Sequence, residues 1–579
     1  MTLPAKLSIV IPTHNRREIL VSRTLPAIFG QDFPASEYEI IVVVDGSTDG
    51  TADALSRLQP PCALRIIEQP NRGPSAARNK GIQAAKADLL LFLDDDVICG
   101  PRLLDRHVTA HACAGPAIVH GRIFVASDAP ASLYRYAVET WYQKYYGHLD
   151  SQNGLEWPGD DYLISNSSVP RATLLACGGF DEHMPAKEDY ELGLRLWKTG
   201  VRFQYLPDAV AYEFYVKPTR HVLRHDGEIY GRAEVLLSRK HPEYRPSSQL
   251  AALGKMAWWK RQWRRIDASL PLSLAGLLTP PLWVCDKLCR FPVMQRAGHR
   301  LLGMGRGVVE FRSAAREVGS WRALGAEFGM RLPVLAYHHV GPPKPGSVSA
   351  QSISPRRFER QVRWLARRGY TGICPSDWLR WRREGKDLPA KPLLLTFDGG
   401  YADLAEYAFP VLRRYGFNAG VFVVTGLLGK TSAREEVGGP DARQLLTAEQ
   451  VRFWAGQGIE FGTLGRTHAD LTALSAPELT AEVVGSRNDL AELLQSPVVS
   501  FSYPYGQYNP TVVECVRGAF DLAFLAGHDT VGLNHLLTDP HLLLRNTVGP
   551  NDSWRSLECR TRLGYDPLLN LRTRLGLGA

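Results

Sequence analysis

Three consecutive aspartates, Asp94, Asp95 and Asp96, follow an apolar run at residues 89–93 that predicts a buried strand. Carboxylates at such close range cannot all stay ionised without a positively charged partner. A divalent cation is a natural partner, because Asp94 and Asp96 can offer oxygen ligands to Mg²⁺ or Mn²⁺ while a substrate diphosphate completes the coordination shell. A solvated acidic turn is the alternative for the triplet taken alone.

A second acidic pair, Glu188 and Asp189, stands in the segment KEDYELGLRLW. A carboxylate in a pocket can act as a general base that takes the proton from an attacking hydroxyl group. The alternative is that both acids lie in the first turn of a helix, where they stabilise the helix dipole. The residue types alone leave both interpretations open.

Strand-like and helix-like runs alternate from the N-terminus onward, with strands predicted at residues 7–11, 39–44 and 89–93. This alternation predicts an α/β fold with a parallel sheet, and ligands in such sheets bind at the carboxyl ends of the strands. We therefore expect one crevice at which three strand ends meet. The polar residues at those ends are Thr13, His14, Asn15, Arg16, Asp45, Gly46, Ser47, Asp94, Asp95 and Asp96.

Residues 8–200 resemble family 2 glycosyltransferases of the GT-A fold. The matching segments, in the family's order, are SIVIPTHNR, VVVDGSTDGT, NRGPSAARNKGI, LLLFLDDDV and NSSVPRATLLACGGFDEHMPAKEDYELGLRLWKTG. The resemblance implies a GT-A, Rossmann-like domain over residues 1–240. It also implies transfer of a sugar from a nucleotide-sugar donor, with a UDP-sugar as the expected donor and with inversion at the anomeric carbon.

The same resemblance implies roles for single residues. Asp189 is expected to be the catalytic base with Glu188 beside it, and Asp94 and Asp96 are expected to hold Mg²⁺ or Mn²⁺. No clear QxxRW-type motif, which processive members carry, follows Asp189, so we expect addition of one or a few sugars. The residues expected to bind the donor are Pro12, Thr13 and Asp45 at the nucleoside, Arg78 near the diphosphate, and Asn15, Arg16, Ser47 and Asp95.

Residues 241–330 change to basic and apolar helix-like sequence without obvious strands, and we interpret them as a helical linker. The segment KMAWWKRQWRR at 255–265 mixes three tryptophans with five basic residues and precedes an uncharged stretch at 268–285. Tryptophan with cations is typical of the surface of an anionic bilayer, and prolines in the uncharged stretch favour an interfacial or re-entrant segment. The alternative is that the tryptophans pack between two domains. No other feature supports a nucleic-acid partner.

From residue 333 strands and helices alternate again, which predicts a (β/α) barrel or a variant of one. Residues 332–548 resemble the polysaccharide deacetylases of carbohydrate esterase family 4 through PVLAYHHV, LLLTFDGGYADL, AGVFVVT, GIEFGTLGRTHADLTAL and FSYPYGQYNPTVVECV. The resemblance implies a distorted barrel, which we place at residues 331–555, followed by a tail at 556–579.

The residues that the deacetylase family uses to bind its metal are incomplete in this sequence. By the resemblance Asp398 matches the catalytic base, but Gly399 stands in place of a metal-binding aspartate. Leu464 stands in place of the first of two histidine ligands, so that only His468 remains. A catalytic metal needs about three protein ligands. We therefore expect a catalytically inactive domain that binds sugar or serves as a structural partner.

Two further sets of residues bear on this second domain. Tyr503 and Tyr505, around the YPYG turn, offer rings that could stack on a sugar without any metal. A rebuilt metal site could instead use Asp403, His338 or His339, although a histidine on a strand is more often a core residue than a ligand.

The chain has 579 residues, a net charge of +9 and nine cysteines without paired CxxC spacing. The length predicts two or more domains, and the sparse cysteines favour a reducing compartment. The N-terminal segment MTLPAKLSIVIPTHNRRE lacks a secretory pattern. We therefore expect a cytoplasmic protein that is peripheral to the inner face of the membrane.

Together these features predict a metal-dependent, inverting glycosyltransferase in cell-envelope or exopolysaccharide biosynthesis, with a glycan or lipid-linked acceptor. Fusion to a sugar-modifying fold suggests an amino-sugar donor such as UDP-GlcNAc. One alternative is a bifunctional enzyme that also removes N-acetyl groups, against which Gly399 and Leu464 argue. The other is a carbohydrate-binding scaffold, against which Asp94, Asp96 and Asp189 argue.

Overall fold

A computed structural model describes residues 5–114, 117–151, 162–214, 217–271, 273–342, 352–431, 443–525 and 532–567. The chain divides into two compact units. The first unit comprises Met1–Tyr244 and Trp258–Trp321, and the second comprises Arg245–Ala257 and Arg322–Ala579. The domain limits expected at residues 240, 330 and 555 stay predictions.

The first unit is built on an eight-stranded sheet with the order β3-β2-β1-β4-β7-β6-β8-β5. Strands β1 to β4 pair in parallel, and β7 runs antiparallel to both β4 and β6. Strands β1 and β2 are almost wholly buried, which explains their near-continuous apolar sequences. The strands are β1 (Leu7–Thr13), β2 (Tyr38–Asp45), β3 (Ala63–Gln69), β4 (Leu89–Phe92), β5 (Val97–Cys99), β6 (Ala117–Val125), β7 (Ser167–Pro170) and β8 (Arg202–Glu213).

Helices cover the sheet of the first unit and continue through the segment expected to be a helical linker. The α-helices of the described chain are α1 (Arg17–Ile19), α2 (Leu25–Phe29), α3 (Thr51–Ser56), α4 (Pro74–Ala84), α5 (Leu103–Ala114), α6 (Leu133–Ser151), α7 (Arg171–Ala176), α8 (Glu188–Lys198), α9 (Thr219–His221), α10 (Gly227–Lys240), α11 (Ala252–Lys255), α12 (Trp258–Ser269), α13 (Thr279–Lys287), α14 (Pro292–Glu317), α15 (Trp321–Phe328), α16 (Pro355–Arg367), α17 (Pro375–Glu384), α18 (Phe409–Arg414), α19 (Ala448–Ala455), α20 (Ala476–Leu494), α21 (Pro510–Ala519) and α22 (Trp554–Leu563). The helical nature of residues 241–330 is therefore confirmed.

Helices α12 and α13 both pack against the long helix α14 within the first unit. Leu282 and Cys285 of α13 are buried with Leu302 and Val309 of α14 in a small apolar core. Among the described residues, no single helix is both long and apolar enough to cross a membrane. Trp258–Ser269 and Leu274–Lys287 reach that threshold only as a pair, and the pair is bent by 106°.

The second unit contains a sheet in which every pair of strands is parallel, with the order β17-β16-β15-β14-β13-β9-β18 and β12 beside β13. A separate short pair is formed by β10 and β11. The strands are β9 (Val334–Tyr337), β10 (His339–Val340), β11 (Ser352–Ile353), β12 (Thr371–Gly372), β13 (Pro392–Gly399), β14 (Ala419–Val423), β15 (Ile459–Thr463), β16 (Ser500–Ser502), β17 (Leu522–Phe524) and β18 (Asn546–Thr547).

The two edges of this second sheet are joined by one segment of chain. Residues 540–543 bond to edge strand β17, where the Leu543 amide donates to the Ala523 carbonyl at 2.9 Å. The same segment then enters β18, which pairs with β9 at the opposite edge. The sheet therefore curls into an incomplete barrel, and the expected distorted (β/α) barrel is confirmed.

Candidate functional site

The three consecutive aspartates lie at the carboxyl end of β4, next to the end of β1. Asp95 accepts a hydrogen bond at Oδ2 from the hydroxyl of Thr13, at 2.7 Å. Asp96 is 3% exposed, and its carboxylate lies 3.4 Å from the guanidinium of Arg16. Because β1 and β4 are parallel neighbours, their polar ends meet as the sequence predicted.

Arg78 of α4 joins the aspartate triplet to the second acidic pair. Its Nη2 donates to Asp94 Oδ1 at 2.9 Å, and its Nη1 donates to Glu188 Oε1 at 2.7 Å. Burial opposes the charge on this guanidinium, but the two carboxylates outweigh burial and raise the pKa of Arg78 above its ordinary value. Arg78 thus fixes two acidic segments that are far apart in sequence into one cluster. Its expected place near the diphosphate stays a prediction.

Asp189 lies in the first turn of α8, where its Oδ1 accepts a hydrogen bond from the Tyr190 amide at 2.9 Å. The start of this helix is anchored by Lys187, which has a φ of +59° and whose ammonium pairs with the buried Glu234. Removal from water and then the charge of Glu188 raise the pKa of Asp189 to about 7. A carboxyl group that titrates near neutral pH suits proton transfer.

The loops after β1 and β2 are held to each other by backbone and side-chain hydrogen bonds. Asn15, with a φ of +52°, receives the Thr48 amide at 2.7 Å, and its own amide donates to Ser47 Oγ at 3.0 Å. Pro12 lies on β1 just before this loop. The expected contacts of these residues with a donor nucleoside stay predictions.

Asp45 is buried, and both of its oxygens accept hydrogen bonds from the chain itself. Its Oδ1 receives the Arg72 amide at 2.9 Å and Gln69 Nε2 at 2.8 Å, while its Oδ2 receives the Gly73 amide at 2.8 Å. Asp45 therefore shapes the turn that begins α4, the helix of Arg78. Its expected nucleoside contact also stays a prediction.

In the second unit, Asp398 lies one residue before the end of β13 and is buried against an arginine that the sequence did not reveal. Arg545 donates from Nη1 and Nη2 to the two oxygens of Asp398, at 2.8 and 2.9 Å. Arg545 also donates to Ser502 Oγ at 2.9 Å and to the Leu525 carbonyl at 2.6 Å. Although burial opposes it, the arginine holds the pKa of Asp398 below its ordinary value.

Gly399, which stands in place of the family's metal-binding aspartate, has a tyrosine ring packed beside it. Gly399 has a φ of +91°, and a Cβ atom there would lie 2.5 Å from a ring carbon of Tyr401. Leu464, at the first histidine position, is 3% exposed. His468 has a φ of +67°, and its ring centroid lies 4.6 Å from that of Tyr505.

One of the two expected sugar-stacking tyrosines does not present its ring. Tyr503 is fully buried, and its hydroxyl donates to the His541 carbonyl at 2.9 Å. Tyr505 is exposed on nearly half of its surface. The expectation for Tyr503 is thus corrected, because its side chain is buried in the apolar core of the second unit. Of the two tyrosines, Tyr505 is the one that can contact a ligand.

Two family models match separate parts of the chain. "Glycosyl transferase family 2" matches residues 8–161, and "Polysaccharide deacetylase" matches residues 385–519. The chain thus contains one region similar to family 2 glycosyltransferases and another similar to polysaccharide deacetylases. This confirms both resemblances seen in the sequence.

Curated relatives match the two domains. The validoxylamine A glucosyltransferase of Streptomyces hygroscopicus subsp. limoneus is 29% identical over 42% of this chain and 58% of its own length. The pre-mycofactocin glycosyltransferase of Mycobacterium tuberculosis is 28% identical over 67% of this chain and 74% of its own length. The putative polysaccharide deacetylase YxkH of Bacillus subtilis is 26% identical over 36% of this chain and 68% of its own length. The chain thus spans about three fifths of the glucosyltransferase.

Solved structures also match each domain. The deacetylase PplD of Streptococcus pyogenes, in complex with acetate, is 24% identical, with 41% of this chain and 99% of that chain covered and a TM-score of 0.36. S. aureus TarS 1–349, in complex with UDP, is 18% identical, with 54% and 90% covered and a TM-score of 0.32.

The acidic cluster of the first unit contains a further buried acid that the sequence analysis missed. Glu213 ends β8, and its Oε2 receives the hydroxyl of Tyr142 at 2.6 Å. Burial raises the pKa of Glu213 to about 7 and that of Asp95 to about 6, and burial together with Glu213 raises that of Asp96. An acidic residue at the end of the apolar strand AVAYE was the only signal available in the sequence.

The residues of this site fit a divalent cation by their chemistry. Among the described parts of the chain, no group of three or more His, Cys, Asp or Glu side chains is arranged to hold a metal by itself. Asp94 and Asp96 nevertheless supply hard oxygen atoms, and Mg²⁺ sites commonly use one or two carboxylates together with substrate phosphates. Burial and then the neighbouring carboxyl groups of Glu213 and Asp95 raise the pKa of Asp96, and a bound cation would favour its ionised form.

Two of the alternative metal ligands in the second unit, His339 and Asp403, lie beside each other and contact other side chains. His339 packs on Tyr401 with ring centroids 3.7 Å apart, and its Nδ1 lies 3.7 Å from Asp403 Oδ2. Asp403 also pairs with Arg443 at 3.3 Å. His338, the neighbouring candidate, is half-buried. Because Asp403 is opposed by a guanidinium, this arrangement favours an ion pair over a rebuilt metal site.

Proposed function

We propose that the N-terminal domain is an inverting, metal-dependent glycosyltransferase that uses a nucleotide-sugar donor. The observation that supports this best is the position of Arg78 between Asp94 and Glu188. It brings the expected metal-binding aspartates and the expected base into one cluster at the strand ends. A scaffold would have no need for a carboxyl group poised near neutral pH beside that cluster.

In this proposal each acidic segment has its own task. Asp189 takes the proton from the acceptor hydroxyl, and direct attack of that oxygen inverts the anomeric carbon. Asp94 and Asp96 would hold Mg²⁺ or Mn²⁺, which when bound supplies Lewis-acid stabilisation of the charge on the leaving diphosphate. Arg78 bonds to both Asp94 and Glu188, and in this way it holds the aspartate triplet beside the helix turn that carries Asp189.

We base the proposed substrate class on the pairing of the two domains and on a glucosyltransferase relative. A glucosyltransferase among them supports a hexose donor, and the adjoining deacetylase-type domain favours an N-acetylhexosamine carried by UDP. We propose a glycan or lipid-linked acceptor of the cell envelope or of an exopolysaccharide. The proposed location is the cytoplasmic face of the membrane, and nucleic acid is not a proposed partner.

Removing the cation is expected to lower release of nucleoside diphosphate by at least about 100-fold, since Lewis-acid stabilisation amounts to several kcal/mol. The measurement uses the full chain, a panel of sugar nucleotides and membrane extract as acceptor, with Mn²⁺, Mg²⁺ or chelator. Asp94→Asn and Asp96→Asn should show the same loss in the presence of the metal. Asp208→Asn, at an exposed position on β8, is the control and should keep its activity.

No turnover with any donor would contradict the transferase and favour the carbohydrate-binding scaffold. Turnover that resists both chelator and the two variants would retain the transferase but remove the metal from the proposal.

For the C-terminal domain we propose loss of deacetylase activity with retention of sugar binding or of a structural role. Gly399 provides no ligand, the Tyr401 ring closes the space beside it, and Leu464 is apolar. Asp398 has both oxygens engaged by Arg545. Tyr505 provides an exposed aromatic face for a sugar ring.

Acetate release from N-acetylated oligosaccharides is accordingly expected to stay at the level of the chelator control when Zn²⁺, Co²⁺ or Mn²⁺ is added. Enzyme-coupled acetate detection on the full chain measures this. Asp398→Asn is the matched variant and should give the same background. Metal-dependent acetate release that disappears in Asp398→Asn would establish the bifunctional alternative.

A further inference from the structure

Helix α12 exposes an unusual set of large apolar side chains. Trp258, Trp259 and Trp263 are 73%, 57% and 60% exposed, and Ile266 is about half exposed. Trp259, Trp263 and Ile266 stand at positions i, i+4 and i+7, which places them on one face of the helix. We refer to these three residues as the α12 stripe. Burial of such a stripe against an apolar phase would be strongly favourable.

An adjoining face of α12 is attached to the first unit. Asp267 is buried and accepts the Leu274 amide at 2.6 Å, while the guanidinium of Arg312 from α14 lies 3.7 Å away. Arg264 packs over the ring of Phe311 at 4.2 Å and donates to the Gly307 carbonyl. The α12 stripe therefore faces outward because the other face of the helix is already used.

Basic residues flank the α12 stripe. Lys260 and Arg265 are exposed, and at 100° per residue they fall on opposite sides of the stripe. Asp267, the acidic residue of the helix, is buried and paired, so it does not offset their charge at the surface. An apolar face edged by cations is complementary to a bilayer that contains anionic lipids.

Further apolar side chains are exposed in the chain that follows α12 and packs on α14. They come from the turn before α13, from α13 itself and from the start of α14. Leu277, Trp283, Val284, Phe291 and Val293 are all exposed. Lys287 and Arg290 lie among them and are also exposed. The same combination of tryptophan, aliphatic and basic side chains thus extends beyond α12.

We propose that the α12 stripe docks the first unit on an anionic bilayer, with α12 lying in the interface while its other face stays on α14. Tryptophan rings sit at the level of the headgroups, and the flanking cations bind the lipid phosphates. The proposal does not depend on transferase activity, because lipid binding requires no sugar nucleotide. It would place the first unit, which contains the expected catalytic site, on the membrane that would carry a lipid-linked acceptor.

The test is co-sedimentation of the full chain with vesicles of phosphatidylglycerol and phosphatidylcholine in equal parts, and with vesicles of phosphatidylcholine alone. We expect binding to the anionic vesicles that weakens as salt is raised. Trp259→Gln combined with Trp263→Gln should lower the partition coefficient by about tenfold or more. Trp197→Gln, at a comparably exposed tryptophan in the first unit, is the control and should bind as the native protein does.

A second pair of variants separates the charge from the apolar contribution. Lys260→Gln and Arg265→Gln should each lower binding to the anionic vesicles by about fivefold. Unchanged binding in the double tryptophan variant would overturn the proposal, as would equal, salt-insensitive binding to both kinds of vesicle. A concentration-dependent dimer in light scattering that is lost in the double tryptophan variant would also overturn it, in favour of a second copy of the chain on the stripe.

Discussion

Replacing Asp189 with asparagine is expected to lower the kcat for sugar transfer by about 10²–10⁴-fold, the usual contribution of a general base. Asparagine has the same shape, and its carbonyl oxygen can still accept the Tyr190 amide at the start of α8. It cannot take a proton from the acceptor hydroxyl. The measurement is release of nucleoside diphosphate with saturating donor, together with the dissociation constant for the donor, which should change little. Asp208→Asn serves again as the exposed control.

The pH profile provides an independent check of the same residue. A base works in its ionised form, so with its pKa raised to about 7 the wild-type kcat/KM should be high above that pH and fall as the pH drops through it. The residual activity of Asp189→Asn should lack this step. A variant that retains both its kcat and the pH step would assign the base to another group.

The strands that position this site were predictable because they are buried on both faces. The apolar runs predicted as strands correspond to β1, β2 and β4 in the structure. The runs at 7–11, 39–44 and 89–93 match Leu7–Thr13, Tyr38–Asp45 and Leu89–Phe92, respectively. Parallel pairing then forces their polar ends together, which is a rule of topology and requires no knowledge of side-chain contacts. The meeting of Asp95 with Thr13 follows from that rule.

The contacts that complete the site were not predictable in the same way. Arg78 and Glu188 are separated by 110 residues, and their pairing depends on how α4 and α8 approach each other. No sequence motif marks Glu213, and its position in the acidic cluster depends on the pairing of β8 within the folded sheet. Sequence periodicity indicates which residues share one face of a helix or strand. It does not indicate which distant side chains pack together in the folded protein.

The barrel of the second unit illustrates the same limit with two neighbouring tyrosines. Tyr503 and Tyr505 are two residues apart at the end of β16, and the sequence suggested the same exposed role for both. The chain turns after Tyr503, and Tyr505 adopts a φ of +59°, so the two rings point to different surroundings. A local turn thus separated a buried ring from an exposed one.

Replacing Arg545 with methionine is expected to destabilise the second unit by about 3–5 kcal/mol, because it leaves the Asp398 carboxylate buried without its partner. Arg545 is 1% exposed and also binds Ser502 and the Leu525 carbonyl, so further hydrogen bonds are lost with it. For a unit of this size the melting temperature should fall by about 10 °C. Calorimetry of the full chain measures the shift.

Two comparisons isolate the buried ion pair as the cause. Arg414→Met removes an arginine that pairs with Glu359 at an exposed position, and its effect should stay below about 1 kcal/mol. Asp398→Asn combined with Arg545→Met should recover part of the loss, because no buried charge is then left unpaired.

The pairing with Arg545 lowers the pKa of Asp398 in the folded protein. The stabilisation that this ion pair contributes is therefore present at neutral pH and fades on acidification. The difference between native protein and Arg545→Met should therefore narrow below pH about 4, and a difference that persists there would indicate that the lost packing of Arg545, and not its charge, accounts for the effect.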